Sequence, residues 1–485
     1  MDDCQAITLV RELCDALDAD GLRQCHWKSN AFLGRSRTGT NDLDLLIARA
    51  DSERFSAVLH RLGFKLALSR RGSLPGVCSY YGYDEEADRL VHVHAHYQLV
   101  VGDDLTKNYR IPLEEVFLDS ATDEGDFRVP APELELILLV IRLTLKHLTW
   151  DALVAHLARI PKDARHELAY LQERVDRERV DELLERCLPF VDRQTFAGCE
   201  RLVDADAGGW HGVRVATRLV AELEPCARRP RGADVRLKMW RRGLGIVRRL
   251  VSYEPPRKQL AAGGAVIAVV GADGAGKSTA VEALYKWLSH DFAVTRVHLG
   301  RPPRSRITSV VGLLTRARSA VGIVLGQRPR SVAVDDPTWR SYHAWLLTAV
   351  ARDRYLAIRS LRRVASNGEI VVCDRWPLPQ LSRMDTPRIH RNITPESAGR
   401  LVRALSALEL RYYRAMTRPD ALIVLLVDPE VAVARKPEEP ADFVRGRWKE
   451  MWQVDWDAMG AHVIDAGRSR EEVLHHLKSL VWSKV

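Results

Sequence analysis

The sequence predicts an α/β protein of more than one domain, and three observations carry that expectation. At 485 residues the chain exceeds the roughly 250–300 residues at which a single hydrophobic core stops growing. The run Ala265 to Val270, Ala-Val-Ile-Ala-Val-Val, has no polar alternation, as a parallel strand buried on both faces requires. It leads through a glycine-rich turn into Val281, Leu284 and Leu288 at helical spacing. A second apolar run, Ile370 to Cys373, delivers Asp374-Arg375-Trp376 at its carboxyl end, where open α/β sheets place their ligands.

The turn reads Gly271-Ala272-Asp273-Gly274-Ala275-Gly276-Lys277-Ser278-Thr279 and fits G-x-x-x-x-G-K-[ST] at every fixed position. Glycines let consecutive backbone N–H groups turn inward on phosphate oxygens, and the helix start adds its positive end. Gly271, Asp273, Gly274, Ala275, Gly276, Lys277, Ser278 and Thr279 are therefore the expected nucleotide-binding residues. Lys277 would reach the β- and γ-phosphates of ATP, and the Ser278 hydroxyl would ligate Mg²⁺.

Composition is that of an ordinary globular protein, 46% hydrophobic and 28% charged. No apolar run approaches the roughly 20 residues of a membrane span, and the start, Met1-Asp2-Asp3-Cys4, lacks the apolar stretch of a signal peptide, so a cytoplasmic protein is expected. Eight cysteines without a C-x-x-C pair suggest reduced thiols and no zinc knuckle. A net charge of +9 suits either nucleic acid or small anions such as ATP. Beside a nucleotide loop we favour the small anion and expect no nucleic-acid partner. Much of the charge lies between Arg228 and Lys258, with Leu237, Trp240, Leu244, Val247 and Val251 at helical spacing. The ordinary reading is a solvated helix face plus hinge; the alternatives are contact with an anionic membrane through 228–258 or docking onto another domain.

Taken in order, residues 3 to 19 read as an amphipathic helix with Val10, Leu13 and Leu17 on one stripe. After Trp27-Lys28 comes Gly39-Thr40-Asn41-Asp42-Leu43-Asp44-Leu45-Leu46-Ile47. On a strand, Asp42 and Asp44 share a face while Leu43 and Leu45 enter the core, and two carboxylates a few Å apart suit Mg²⁺. A Gly-containing turn followed by D-x-D on a strand resembles the minimal nucleotidyltransferases over roughly the first hundred residues, with Trp27-Lys28 similar to one branch. The resemblance implies a third carboxylate on a later strand. That strand is Leu90-Val91-His92-Val93-His94-Ala95-His96-Tyr97, and His94 stands where the carboxylate would be. The histidine trio reads as a zinc or manganese face or as a hydrogen-bonded row.

A helical region starts near Pro132, followed by amphipathic segments around Leu153 to Leu157, His166 to Val175 and Val180 to Cys187. Next come the basic block and a Pro- and Gly-containing linker. Beyond the phosphate loop lie a strand near Val294 to Leu299, an unpatterned segment 305 to 339 read as a mobile insertion, and a long helix from about Tyr342 to Ala365. An apolar strand from Ala421 to Val427 and a closing helix complete the chain.

The loop form G-x-D-G-x-G-K-[ST] together with the triplet Asp374-Arg375-Trp376 resembles thymidylate kinases over Gly264 to Val485. That resemblance implies several roles. Asp273 would bind the acceptor sugar hydroxyl, Arg375 would clamp its phosphate, and Asp374 would lie near Mg²⁺ or Lys277. Arg352, with Arg354 as the near alternative, would be the helix arginine. Arg435, Arg445 and Arg447 would be lid arginines, of which Arg435 is taken as catalytic with Lys277, Asp374 and Arg375. The run Pro377 to Met384 lacks the family's base-binding signature, so the expected acceptor is a phosphorylated small molecule, a nucleoside monophosphate or a sugar phosphate, and thymidine monophosphate in particular does not follow. The tandem arrangement is similar to proteins encoded with bacterial surface-polysaccharide enzymes, which points toward a sugar-linked acceptor.

The expected organisation is a nucleotidyltransferase-like α/β domain (1–130), a helical region with a basic amphipathic end (131–250), a linker (251–263) and a P-loop parallel-sheet kinase domain (264–485). Its function is ATP-dependent phosphoryl transfer. The rivals are a nucleotidyltransferase regulated by a nucleotide-binding domain and an ATP-gated membrane-surface scaffold.

Overall fold

The computed structural model describes residues 5–69, 74, 76–154, 159–205, 210–250, 257–303, 305, 308–310, 313, 337–381, 386–389 and 399–485. Most of the expected insertion at 305 to 339, part of the linker, and Ser382 to Met384 lie outside the described residues. The chain divides into two compact units, Met1–Pro256 and Arg257–Val485.

In the first unit the strands are β1 (Gln24–His26), β2 (Leu43–Ile47), β3 (Lys65–Ser69), β4 (Val77–Asp84) and β5 (Arg89–His96), in spatial order β1-β2-β5-β4-β3. β2 and β5 run parallel, with Asp44 opposite His94, while β1–β2, β5–β4 and β4–β3 are antiparallel. The amino-terminal helix begins at Thr8 rather than residue 3, and its stripe of Val10, Leu13 and Leu17 joins Leu43, Leu45 and Ile47 in one core.

A second core fills the other side of the sheet. Cys25, Trp27 and Leu46 join the residues of helix Pro132–Leu143 and of the helices that follow it, so the expected helical region shares its core with the sheet. That helix is apolar nearly all round and runs into a π-helical segment, Thr144–Leu148. With both faces of the sheet covered, β2 is buried at all five positions, Asp44 included, in place of the expected alternation. Asp42 lies one residue before the strand begins.

The basic helix, Arg231–Leu250, departs from a purely solvated face. Lys238 is buried between Asp234 at 3.0 Å and Asp151 at 3.5 Å, and Arg242 reaches Asp103 at 2.7 Å. Met239, Trp240, Ile246 and Val247 of the same helix are exposed. Among the described residues, no helix is long and apolar enough to cross a membrane.

In the second unit β6 (Val266–Val270), β7 (Val294–His298), β8 (Ile370–Asp374), β9 (Ala421–Leu426) and β10 (His462–Asp465) form an all-parallel sheet in the order β7-β8-β6-β9-β10. β6 is central and fully buried, as its unbroken apolar run demands. Parallel strands share one carboxyl edge, so the turn after β6, the Asp374-Arg375 end of β8 and the Asp428 end of β9 open onto the same crevice. Helices Lys277–Leu288, Pro337–Ser366, Arg400–Arg414, Pro429–Arg435, Ala441–Trp452 and Arg470–Lys484 accompany this sheet.

Candidate active site

Close approach of backbone shapes the loop after β6. A side chain at Gly271 would come within 2.8 Å of the Leu425 carbonyl oxygen, and Gly274 and Gly276 take φ values of 83° and 81°, where L-residues are strained. The turn delivers Lys277 as the first residue of its helix, with Ala275 buried beneath and Thr279 exposed. Lys277 is buried, and its Nζ donates to the Ala272 carbonyl at 2.7 Å. Burial, with the Arg375 charge adding to it, lowers its pKa to about 8.

Register across β6 and β8 places Asp374 beside the loop, where Ser278 Oγ donates to Asp374 Oδ2 at 3.3 Å. Asp374 Oδ1 is buried and has no hydrogen-bond partner among the described residues. A hydroxyl and an orphaned carboxylate oxygen are the donors a hard divalent cation takes, so these residues fit Mg²⁺.

Asp273 is the charge centre of the loop. Arg447 forms an ion pair with its Oδ2, Arg375 approaches Oδ1 at 3.6 Å, and Trp448 Nε1 donates to its carbonyl at 3.0 Å. Arg375 reaches this position from a left-handed backbone, φ 67°, which few non-glycine residues adopt outside functional turns. Arg447 comes from helix Ala441–Trp452 and stacks over Phe443 at 4.2 Å.

The other arginines divide. Arg435 donates to the Ala466 carbonyl at 3.1 Å and the Gly274 carbonyl at 3.4 Å, so it lies on the loop itself. Arg445 instead pairs with exposed Glu430 at 2.7 Å. In the long helix, Arg352 faces its neighbour Asp353 at 3.8 Å, whereas Arg354 is buried and donates to the Leu299 carbonyl at 2.9 Å and to the Tyr413 hydroxyl. It is thus Arg354 whose bonds run to the residues just past β7, on the crevice edge. The Asp273–Arg447 pair and the Trp448 contact span more than 170 positions, and no local spacing could have shown them.

In the first unit the D-x-D carboxylates take different partners. Asp42 meets His92 Nδ1 at 2.7 Å, and burial is outweighed by that histidine in lowering its pKa. Asp44 Oδ1 lies 2.8 Å from Lys28 Nζ and 3.5 Å from both His94 Nδ1 and His96 Nε2. Its carboxyl is held well below the usual range, burial being overcome by Lys28 and then by the two imidazoles. The Lys28 loop is pinned from behind. Asn30 donates to Glu135 through its backbone N–H at 3.1 Å and its side chain at 2.9 Å, and the backbone N–H of Ser29, itself at φ 62°, donates to Glu167 at 2.9 Å. Glu135 is buried in the core-facing helix, and burial followed by Glu167 pushes its carboxyl up to about 8.

No family model matches the chain. It is 28% identical over 225 residues to the uncharacterized ATP-binding protein YghR of Escherichia coli K12, covering 44% of this chain and 86% of that protein. It is 27% identical over 227 residues to thymidylate kinase of Symbiobacterium thermophilum, covering 44% of this chain and 91% of that one. The solved thymidylate kinase of Candida albicans is 16% identical and covers 46% of this chain and 92% of its own, with a TM-score of 0.28. The matched lengths are close to that of the second unit.

A carboxylate in the phosphate loop opposes any anion bound there. Asp273→Asn should therefore tighten binding of inorganic tripolyphosphate, by up to about tenfold for a part-exposed charge a few Å away, measured by calorimetry. Weaker binding in the variant would show that Asp273 holds the loop in shape rather than balancing its charge.

Proposed function

We propose that the second unit transfers the γ-phosphoryl group of ATP to a phosphorylated small-molecule acceptor. One observation carries the reading: a buried lysine, an orphaned carboxylate oxygen and two arginines converge around a single glycine-rich loop at the carboxyl edge of the sheet. Sequence similarity to a thymidylate kinase and to an ATP-binding protein supports the same chemistry.

The loop's inward N–H groups and Lys277 hold the β- and γ-phosphates, Lys277 exchanging its Ala272 carbonyl for phosphate oxygen. Ser278 and Asp374 would hold Mg²⁺, which when bound neutralises phosphate charge. Arg375 presents a planar fork to the acceptor's phosphate, and Asp273, between Arg375 and Arg447, is placed to accept a hydrogen bond from an acceptor hydroxyl. An acceptor phosphate oxygen then bonds to the γ-phosphorus as the bond to the β–γ bridging oxygen breaks, giving ADP and a diphosphate. Arg435, bonded to the Gly274 carbonyl, and Arg447, paired with Asp273, would neutralise the charge that develops during transfer. Little bond-making falls to the protein; position and charge do the catalysis.

Lys277 makes nucleotide binding pH-dependent. The free protein loses the Lys277 proton above about pH 8, and a bound triphosphate favours the protonated form, so binding above that pH must take a proton back. ATP affinity should be flat below pH 8 and fall toward about tenfold per pH unit above it. Lys277→Ala should remove both this slope and phosphoryl transfer, at a cost of several kcal/mol in the transition state. Titrations at several pH values with wild type and variant check this, and an unchanged slope in Lys277→Ala contradicts it.

Arg375→Lys replaces a bidentate fork with a point charge. The acceptor KM should rise by about tenfold or more while ATP affinity changes little, because two parallel hydrogen bonds are reduced to one. Steady-state kinetics in both substrates read the difference; weakened ATP binding with an unaltered acceptor KM would reverse the assignment of the two subsites.

A further inference from the structure

We propose that the first unit binds one divalent transition-metal ion, of the zinc and cobalt class, through Asp44, His94 and His96. The three residues come from the paired parallel strands, Asp44 on β2 directly opposite His94 on β5, with His96 two residues along the same face. Their donor atoms all lie within 4.8 Å of one another, and Asp44 Oδ1 is 3.5 Å from each histidine nitrogen. Two ligands held about 2.1 Å from one tetrahedral ion stand about 3.4 Å apart, so both aspartate–histidine separations already match.

A second observation points to a ligand. His96 is 6% exposed, and among the described residues neither of its ring nitrogens has a hydrogen-bond partner. A buried imidazole with nothing at Nδ1 and only a 3.5 Å contact to Asp44 at Nε2 is costly, and buried polar groups in folded proteins nearly always find a full partner. Its Nε2 faces a carboxylate, and a cation is the group that satisfies a nitrogen lone pair and a carboxylate oxygen together. Two imidazoles and one carboxylate suit zinc, cobalt or iron, whereas magnesium takes oxygens. This separates the site from the Asp42–Asp44 pair expected from sequence, because Asp42 is engaged by His92 at 2.7 Å.

Lys28 is the competitor. Its ammonium now supplies the positive charge beside Asp44 Oδ1 at 2.8 Å, and it also lies 5.1 Å from the centre of the Trp27 ring. An arriving ion takes over the carboxylate and releases the ammonium toward the indole face.

The test uses the full, untagged chain stripped with chelator and free of nucleotide, titrated calorimetrically with Co²⁺, Zn²⁺ and Mg²⁺ while the visible absorption of Co²⁺ is followed. One Co²⁺ per chain with visible bands, displaced by Zn²⁺ and not by Mg²⁺, is expected. Asp44→Asn and His94→Ala should each weaken Co²⁺ binding by more than about tenfold, the lower end of what even outer-sphere partners contribute. Lys28→Met should tighten it, a gain that loss of fold cannot mimic. Absence of saturable Co²⁺ binding overturns the proposal, as does binding that Asp44→Asn leaves unchanged or that Lys28→Met fails to strengthen.

Discussion

A carboxylate inside a loop shaped for phosphate raises the charge the loop must work against, and Asp273 is held there by guanidiniums that face it. Arg447 pairs with one oxygen and Arg375 approaches the other, while Trp448 fixes the backbone carbonyl of the same residue. Each arginine comes from a different part of the second unit, Arg375 from the end of β8 and Arg447 from helix Ala441–Trp452. The loop is therefore tied to the strand beside it and to the helix above it through one side chain. Lys277, buried and reduced in pKa mainly by that burial, has a weaker hold on its proton than a solvated lysine and gains most from an anion.

What the sequence revealed is local. The phosphate loop and the Asp374-Arg375 triplet are contiguous runs whose spacing is dictated by a strand that must be buried on both faces, and the structure puts them at one edge. Asp44 was harder to read. Alternation along β2 predicts a solvent-facing aspartate only if the sheet has an open face, and here a second core built from Trp27, Leu46 and the helices after Pro132 closes it. The same core runs across residue 130, joining Leu99, Ile111 and Phe117 to Leu134, Ile137 and Ile141. The basic block concealed a different fact: Lys238 and Arg242 neutralise not only Asp234, one helical turn away, but also Asp151 and Asp103, and carboxylates that distant in sequence leave no periodic trace.

The two units handle charge in contrasting ways. In the second, positive groups outnumber the carboxylates around a loop that awaits an anion. In the first, Asp44 gathers one ammonium and two imidazoles in a partly buried cluster that is under-satisfied at His96. Glu135 and Glu167 hold the Lys28 loop in place through Asn30 and Ser29, so the geometry at Asp44 depends on buried carboxylates outside the cluster itself.

Phosphoryl transfer by the second unit is tested most directly by incubating the full chain with γ-labelled ATP and Mg²⁺ against pools of nucleoside monophosphates and sugar phosphates. Label should move from ATP into a diphosphate product only when a phosphorylated acceptor is present, and the matching unphosphorylated compounds should stay unlabelled. ATP hydrolysis indifferent to every acceptor, or label appearing on unphosphorylated hydroxyls, would contradict a site built around Arg375 and Asp273 for an acceptor phosphate.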